Sequence, residues 1–154
     1  VIVLVNKWDL VEKDTHTINE FEEKIRTELN FMPYVPMVFI SAESGQRINK
    51  IFPTVLEVNE ARYQRIPTNQ LNKFMREATA IHPPPSKGGK RVKFFYITQP
   101  GVAPPTFVFF VNKPEWVNFS YKRFLENRLR EQFAFPGTPI RLVFRARSED
   151  RFGE

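Results

Sequence analysis

The sequence predicts an α/β layout in its first half and a separate α+β domain, of element order α-β-β-α-β, in its second. Three observations lead there. Apolar runs rich in β-branched residues alternate with helical spacings over residues 1–66, as in a parallel sheet with crossover helices. Beyond residue 67, two aromatic strands and a final apolar strand are set among two helical patterns. Charge divides at the same place. Residues 1–66 hold 8 Lys+Arg and 10 Asp+Glu (net −2), residues 67–154 hold 15 and 7 (net +8), and the two sum to the chain's +6. Such a division marks two units with different partners, and the basic one suits a polyanion.

Val1–Val5 reads as a buried parallel strand, which needs neighbours on both sides, so the chain is expected to be a fragment whose earlier strands are missing. Asn6-Lys7-Trp8-Asp9 is a loop. Thr15 or Thr17 can cap a helix running to about Leu29, with Ile18, Phe21, Ile25 and Leu29 three or four apart. Pro33 and Pro36 end it, and Met37–Ile40 is a second strand. After the loop Ser41-Ala42-Glu43-Ser44-Gly45, a helix is predicted from about Ile48 to Arg65, with Ile51, Val55 and Val58 inward. Ile66-Pro67-Thr68 is a joint. Thr68 caps a helix whose apolar positions Leu71, Phe74, Met75 and Ala78 follow i, i+3, i+4, i+7. His82 and the prolines after it close that helix, and Ser86–Lys90 is predicted as a flexible basic loop. Strands at 92–99 and 106–112 flank a Pro- and Gly-bearing linker with hairpin chemistry. A helix from about Ser120 to Phe133, a strand at 140–144 and a charged tail from Arg145 to Glu154 complete the pattern.

Composition excludes several classes. Hydrophobic residues make up 42% of the chain, with sixteen Phe, so it can bury a core and is not globally disordered. With no cysteine there is no disulfide scaffold and no thiolate site, and two histidines are too few for a His-rich metal site. The longest apolar run falls far short of the roughly 20 residues of a membrane span. No signal peptide pattern opens the chain. A cytoplasmic protein without a membrane partner is expected.

The loop at residues 6–9 lies at the carboxyl end of a predicted parallel strand, where open α/β sheets bind ligands. Its residue types suit guanine. The Asp9 carboxylate can accept from both N1–H and the exocyclic amine, neither of which adenine offers, and a buried carboxylate facing adenine would stay unpaired. Asn6 can hold the loop and meet the outer edge of the base. The Lys7 stem can lie over the purine ring. Ser41 and Ala42, at the next strand end, can close the pocket, with the Ala42 N–H reaching the guanine O6. An Asn-Lys-x-Asp tetrapeptide alone is a polar loop in most proteins; its pairing with Ser-Ala-Glu one helix and one strand later turns the argument. This layout resembles the fourth and fifth guanine-binding motifs of the translation-factor class of GTPases. No G-x-x-x-x-G-K-[ST] phosphate loop occurs, and glycines at 45, 88, 89, 101, 137 and 153 cannot supply one. These 154 residues alone are therefore expected neither to bind GTP tightly nor to hydrolyse it.

In the basic half, Lys87, Lys90, Arg91 and Lys93 gather around a glycine pair. Lys122, Arg123, Arg128 and Arg130 decorate the predicted last helix, and Arg141, Arg145, Arg147 and Arg151 the last strand and tail. Singly, each reads as a solubilising surface residue; together they favour phosphate contacts with RNA. Phe95, Tyr96, Phe107, Phe109 and Phe110 can stack on bases, but their alternation on strands reads better as core. His82 reads as a helix-end residue, His16 as a surface one, and Glu115-Trp116 as a packing turn. No nucleophile–base pair, metal spacing or carboxylate dyad points to another enzyme.

The α-β-β-α-β order with basic flanks resembles a KH-like module, although no glycine pair here has the spacing of the G-x-x-G clamp. The whole chain is similar to the C-terminal portion of the bacterial double-GTPase family called Der or EngA. The matching stretches are the Asn6–Asp9 and Ser41-Ala42 loops, the Ile66-Pro67-Thr68 joint, Phe110-Val111-Asn112-Lys113-Pro114-Glu115, residues 120–130, and Gly137-Thr138-Pro139-Ile140-Arg141. The resemblance implies a partial P-loop GTPase sheet over residues 1–66, the end of the second of two tandem GTPase domains, and a KH-like domain over 67–154. It implies GTP or GDP with Mg²⁺ in the intact parent, and a role in late maturation of the large ribosomal subunit. The implied partners are that subunit, its ribosomal RNA and the other GTPase domains of the same chain, with the joint near Pro67 transmitting the switch. A KH-like domain that docks within its own chain and never touches RNA is the alternative.

Overall fold

The computed structural model describes residues 1–12 and 16–147, so Thr15 and Arg151 lie outside the described residues. Two compact units emerge. One holds Val1–Ala61 with Phe135–Thr138; the other holds Arg62–Ala134 and the chain from Pro139 onward.

In the first unit, β1 (Val3–Val5) pairs in parallel with β2 (Met37–Phe39), setting Val3 opposite Met37 and Val5 opposite Phe39. A parallel pair needs a crossover, and α1 (Thr17–Glu28) supplies it. Its predicted inner residues Ile18, Phe21, Ile25 and Leu29 are half-buried. Phe21 meets Trp8 edge-on at 5.5 Å between ring centroids, and Trp8 also packs on Phe39. A single 3₁₀ turn (Ile48–Lys50) leads into α2 (Ile51–Tyr63), a tighter start than the predicted continuous helix. There Val58 and Ala61 are buried while Val55 is 43% exposed, so the prediction of Val55 as inward is corrected. Its two partners in that prediction, Ile51 and Val58, are half-buried and buried. Residues from far along the chain complete this unit. Gly137 donates its N–H to the Tyr34 carbonyl at 2.9 Å and accepts from the Val1 nitrogen. Its φ of +65° is a conformation that glycine adopts without strain.

In the second unit, α3 (Thr68–Ile81) buries Leu71, Phe74, Met75 and Ala78, the stripe its spacing predicts. The predicted flexible loop at 86–90 is instead a hairpin of β3 (Ser86–Lys87) and β4 (Lys90–Arg91). Gly88 and Gly89 both take positive φ, which a two-residue type I′ turn demands and other residues resist. β5 (Phe94–Gly101) and β6 (Thr106–Val111) pair antiparallel, and β7 (Arg141–Ala146) adds in parallel to β6. Arg145 and Ala146 thus belong to a strand, not to the charged tail. Before β7, α4 (Phe119–Phe133) starts on Asn118, whose side chain accepts from the Tyr121 N–H at 2.8 Å.

The three-stranded sheet has two unlike faces. Ile97, Phe109 and Phe144 are register neighbours on one face; Ile97 and Phe109 are fully buried, and Phe109 stacks on Phe144 at 5.1 Å. Phe107 and Val111 share that face and are fully buried too, so Phe107 and Phe109 are core, as read from their alternation, whereas Phe95 and Tyr96, read as core in the same way, are each 38% exposed. Tyr96, Phe110 and Arg145 share the opposite face, with Tyr96 stacked on Phe110 at 4.3 Å and itself exposed. The Tyr121 hydroxyl donates to the His82 carbonyl at the end of α3 (2.9 Å), and burial pushes its pKa up to about 12. No described helix is long and apolar enough to cross a membrane.

Candidate functional site

The carboxyl ends of β1 and β2 bring two loops together. Lys7 sits in the left-handed region (φ 61°, ψ 32°), a sparse conformation for a residue with a side chain, and there the chain turns sharply into a 3₁₀ turn at Trp8–Leu10. The turn is anchored from below. Trp8 donates its N–H to the Ile40 carbonyl at 3.0 Å, and its indole is 2% exposed against Phe21 and Phe39. Burying the large ring at position 8 holds its neighbours Lys7 and Asp9 out in solvent.

Asn6 ties the loops. Its Oδ1 accepts from the Lys7 N–H at 2.8 Å and, thirty-six residues away, from the Ala42 N–H at 3.0 Å. The Ala42 donor assigned to guanine O6 is therefore bonded to Asn6 here, and a base oxygen would have to share it. Ser41 is buried, and its Oγ accepts from the Ser44 N–H at 3.2 Å, so it shapes the second loop from inside. The Asp9 carboxylate is exposed and has no hydrogen-bond partner among the described residues. It offers two acceptor oxygens to a pair of adjacent donors. A cavity of about 270 Å³ in the same unit is lined by Ile18, Glu22, Phe39 and Arg47 among others, and by none of the predicted base-reading residues.

The cations of the second unit fall into distinct groups. Lys87, Lys90, Arg91 and Lys93 line one cleft of about 490 Å³, together with Asn112, Lys113 and Trp116. Lys122 lies with its Nζ 5.3 Å from the Phe144 ring centroid, and the Arg123 guanidinium stands 5.9 Å from Phe119. Arg141 and Arg145 are exposed on β7, and Arg147 covers the Phe95 ring at 5.2 Å. Arg130 differs: its side chain is only 11% exposed and pairs with Glu126 at 3.3 Å, while Arg128 pairs with Glu131 at 2.8 Å. Both guanidinium groups are thus engaged by carboxylates of their own helix. Sequence reasoning missed Asn112, Lys113 and Trp116. The signal was present in an Asn-Lys pair directly following a strand, but only the fold carries it to the hairpin.

Comparison with known proteins gives the family. Residues 65–145 match the model of the KH-domain-like C-terminal region of EngA bacterial GTPase enzymes. The chain belongs to the Der (EngA) GTPase family. It is 54% identical over 144 residues to the GTPase Der of Moorella thermoacetica, covering 94% of this chain and 33% of that protein. Against the GTPase Der of Halalkalibacterium halodurans it is 50% identical over 149 residues, 97% of this chain and 34% of the relative. The GTPase Der of Symbiobacterium thermophilum gives 50% over 153 residues, 99% and 32%. The chain thus spans about a third of the length of the Der relatives it matches, and it corresponds to the C-terminal portion of Der, as the resemblance implied.

Proposed function

We propose that this chain is the base-reading and RNA-contacting end of a GTPase acting in assembly of the large ribosomal subunit in the cytoplasm. Residues 1–66 close its second GTPase domain, and residues 67–154 form its KH-like domain. The observation that carries the reading is the 3.0 Å bond from Ala42 to Asn6, which joins two loops at adjacent parallel strand ends beside a free carboxylate. Asp9 accepts from N1–H and the amine at C2 of guanine; Asn6 holds both loops and faces the outer edge; the Lys7 stem covers the ring. The Ala42 N–H is shared between Asn6 and O6.

The residues present fit a guanine base and not the rest of the nucleotide, since no phosphate loop lies in these 154 residues. Phosphates and Mg²⁺ fall to the remainder of the full-length protein, where GTP bound with Mg²⁺ supplies the hydrolysable bond. Apolar exposure supports such a remainder. Leu4 on β1 is 45% exposed, and Phe52 and Leu56 on α2 are 75% and 61% exposed. A two-stranded parallel sheet is marginal alone, and further strands and helices would cover these side chains.

The test is binding of the full-length protein to large ribosomal subunits with GTP or GDP across a salt series. This reading expects nucleotide-dependent binding that weakens with salt; absence of nucleotide dependence sinks the switch, and absence of a salt slope sinks phosphate contact. The absent G-x-x-G favours a second reading, in which the KH-like domain is a docking module of its own chain. Lys122→Glu with Arg123→Glu separates them: loss of RNA affinity with domain docking unchanged supports RNA contact.

A further inference from the structure

We propose that the cleft between the β3–β4 hairpin and the turn at Pro114–Trp116 is a clamp for single-stranded RNA. In it, basic side chains hold consecutive backbone phosphates and Trp116 stacks on a base. The inference rests on the RNA-contacting reading above and names the site within it.

The hairpin is built against its own charge. The Gly88-Gly89 turn fixes a register that sets Lys87 directly opposite Lys90. Like charges facing each other across a hairpin destabilise it, and a bound anion removes that cost. Lys93 is fixed from the other wall. Its N–H donates to the Asn112 Oδ1 at 2.8 Å, and its carbonyl accepts from the Asn112 N–H at 3.1 Å. Lys113 follows at once and heads the 3₁₀ turn that presents Trp116, a half-buried indole on the cleft wall.

Five cations therefore line about 490 Å³ of space with no acidic residue among its lining. Among the described residues none of the five is in an ion pair, whereas Arg128 and Arg130 are. A cationic groove with one aromatic platform matches single-stranded nucleic acid, which offers phosphates at regular intervals and a stackable face on every base. An acidic peptide would satisfy the lysines and leave the indole unused.

The test measures binding of a labelled single-stranded RNA of mixed sequence to the 154-residue chain between about 50 and 200 mM salt, with polyglutamate of equal charge as competitor. If all five cations contact phosphate, the slope of log K against log salt is about −3.5, at roughly −0.7 per contact. Lys90→Ala with Arg91→Ala makes it shallower by about 1.4 at the same per-contact value. Trp116→Ala weakens binding about 10-fold with the slope unchanged, and Trp116→Phe restores most of that loss. Thermal midpoints of all variants are measured alongside, and the Phe variant keeps the stacking claim testable if the Ala variant does not fold.

Three results overturn the clamp. RNA binding by the wild type that ignores the cleft variants but fails with Lys122→Glu and Arg123→Glu places the contact on α4 and leaves the RNA reading standing. Polyglutamate competing as well as RNA, with no loss from Trp116→Ala, makes the cleft an acidic-peptide site. No RNA affinity in the wild type removes the RNA reading and the clamp together.

Discussion

Gly137→Ala is expected to destabilise the first unit by about 3 kcal/mol. A β-carbon there would lie 2.5 Å from the Val1 carbonyl oxygen, 2.5 Å from Val58 Cγ2 and 2.9 Å from Cγ1. Val58 is 6% exposed and rooted on α2, so it has little room to withdraw. Overpacking of this kind costs about 1–3 kcal/mol. The positive φ adds about 1–2 kcal/mol for a residue bearing a β-carbon. The two tryptophans make the assay specific, because Trp8 belongs to one unit and Trp116 to the other. In a Trp116→Phe background, urea unfolding followed by Trp8 emission reports the first unit alone. With a slope of roughly 1–3 kcal/mol per molar urea, the midpoint falls by about 1–3 M. Val58→Ala removes the two methyl groups in the way, so the double variant is less destabilised than the sum of the singles, by about 1 kcal/mol. A Gly137→Ala midpoint within error of the parent, or strict additivity with Val58→Ala, refutes the packing argument.

Asn6→Ala removes the acceptor of both the Lys7 and Ala42 amides, and is expected to cost about 1–2 kcal/mol, read by the same Trp8 transition. Asp9→Asn leaves that transition in place, because the side chain is exposed, but in the full-length protein shifts preference from GTP toward the xanthine nucleotide. An amide presents one donor and one acceptor, matching xanthine's carbonyl at C2; nucleotide competition checks it. Tyr121 holds its proton longer when folded, with a pKa raised from 10.0 to about 12 by burial. Its stabilising contribution is intact below pH 10 and declines as pH rises toward 12. Tyr121→Phe is therefore expected to flatten the loss of stability over that window in pH-dependent thermal melts, at the expense of the bond to the His82 carbonyl.

Much of the architecture was legible because local and global signals agree. The Leu71, Phe74, Met75, Ala78 spacing is a helix stripe whatever it packs on, and all four residues are buried. The run at Val3–Val5 and its partner at Met37–Phe39 have the β-branched and aromatic content of buried strands. The hairpin at 86–91 was not read, since a strand of Ser, Lys and Arg has no apolar alternation and its facing lysines oppose pairing. Only the Gly-Gly turn signals it. The helix read from about Ser120 begins one residue earlier, where the Asn118 side chain caps the Tyr121 amide. Within the site, residue types at the two loops were readable, but the Asn6–Ala42 bond spans thirty-six positions and exists only once the strands pair. At Arg130 the converse holds: its charge is visible in sequence, while its burial against Glu126 is not.

The most direct measurement is displacement of a fluorescent GDP analogue from the full-length protein by unlabelled GTP and by ATP. The account predicts that GTP displaces it with an affinity at least about 100-fold above that of ATP, since the adenine edge leaves a carboxylate unpaired. Equal displacement by the two nucleotides would contradict it.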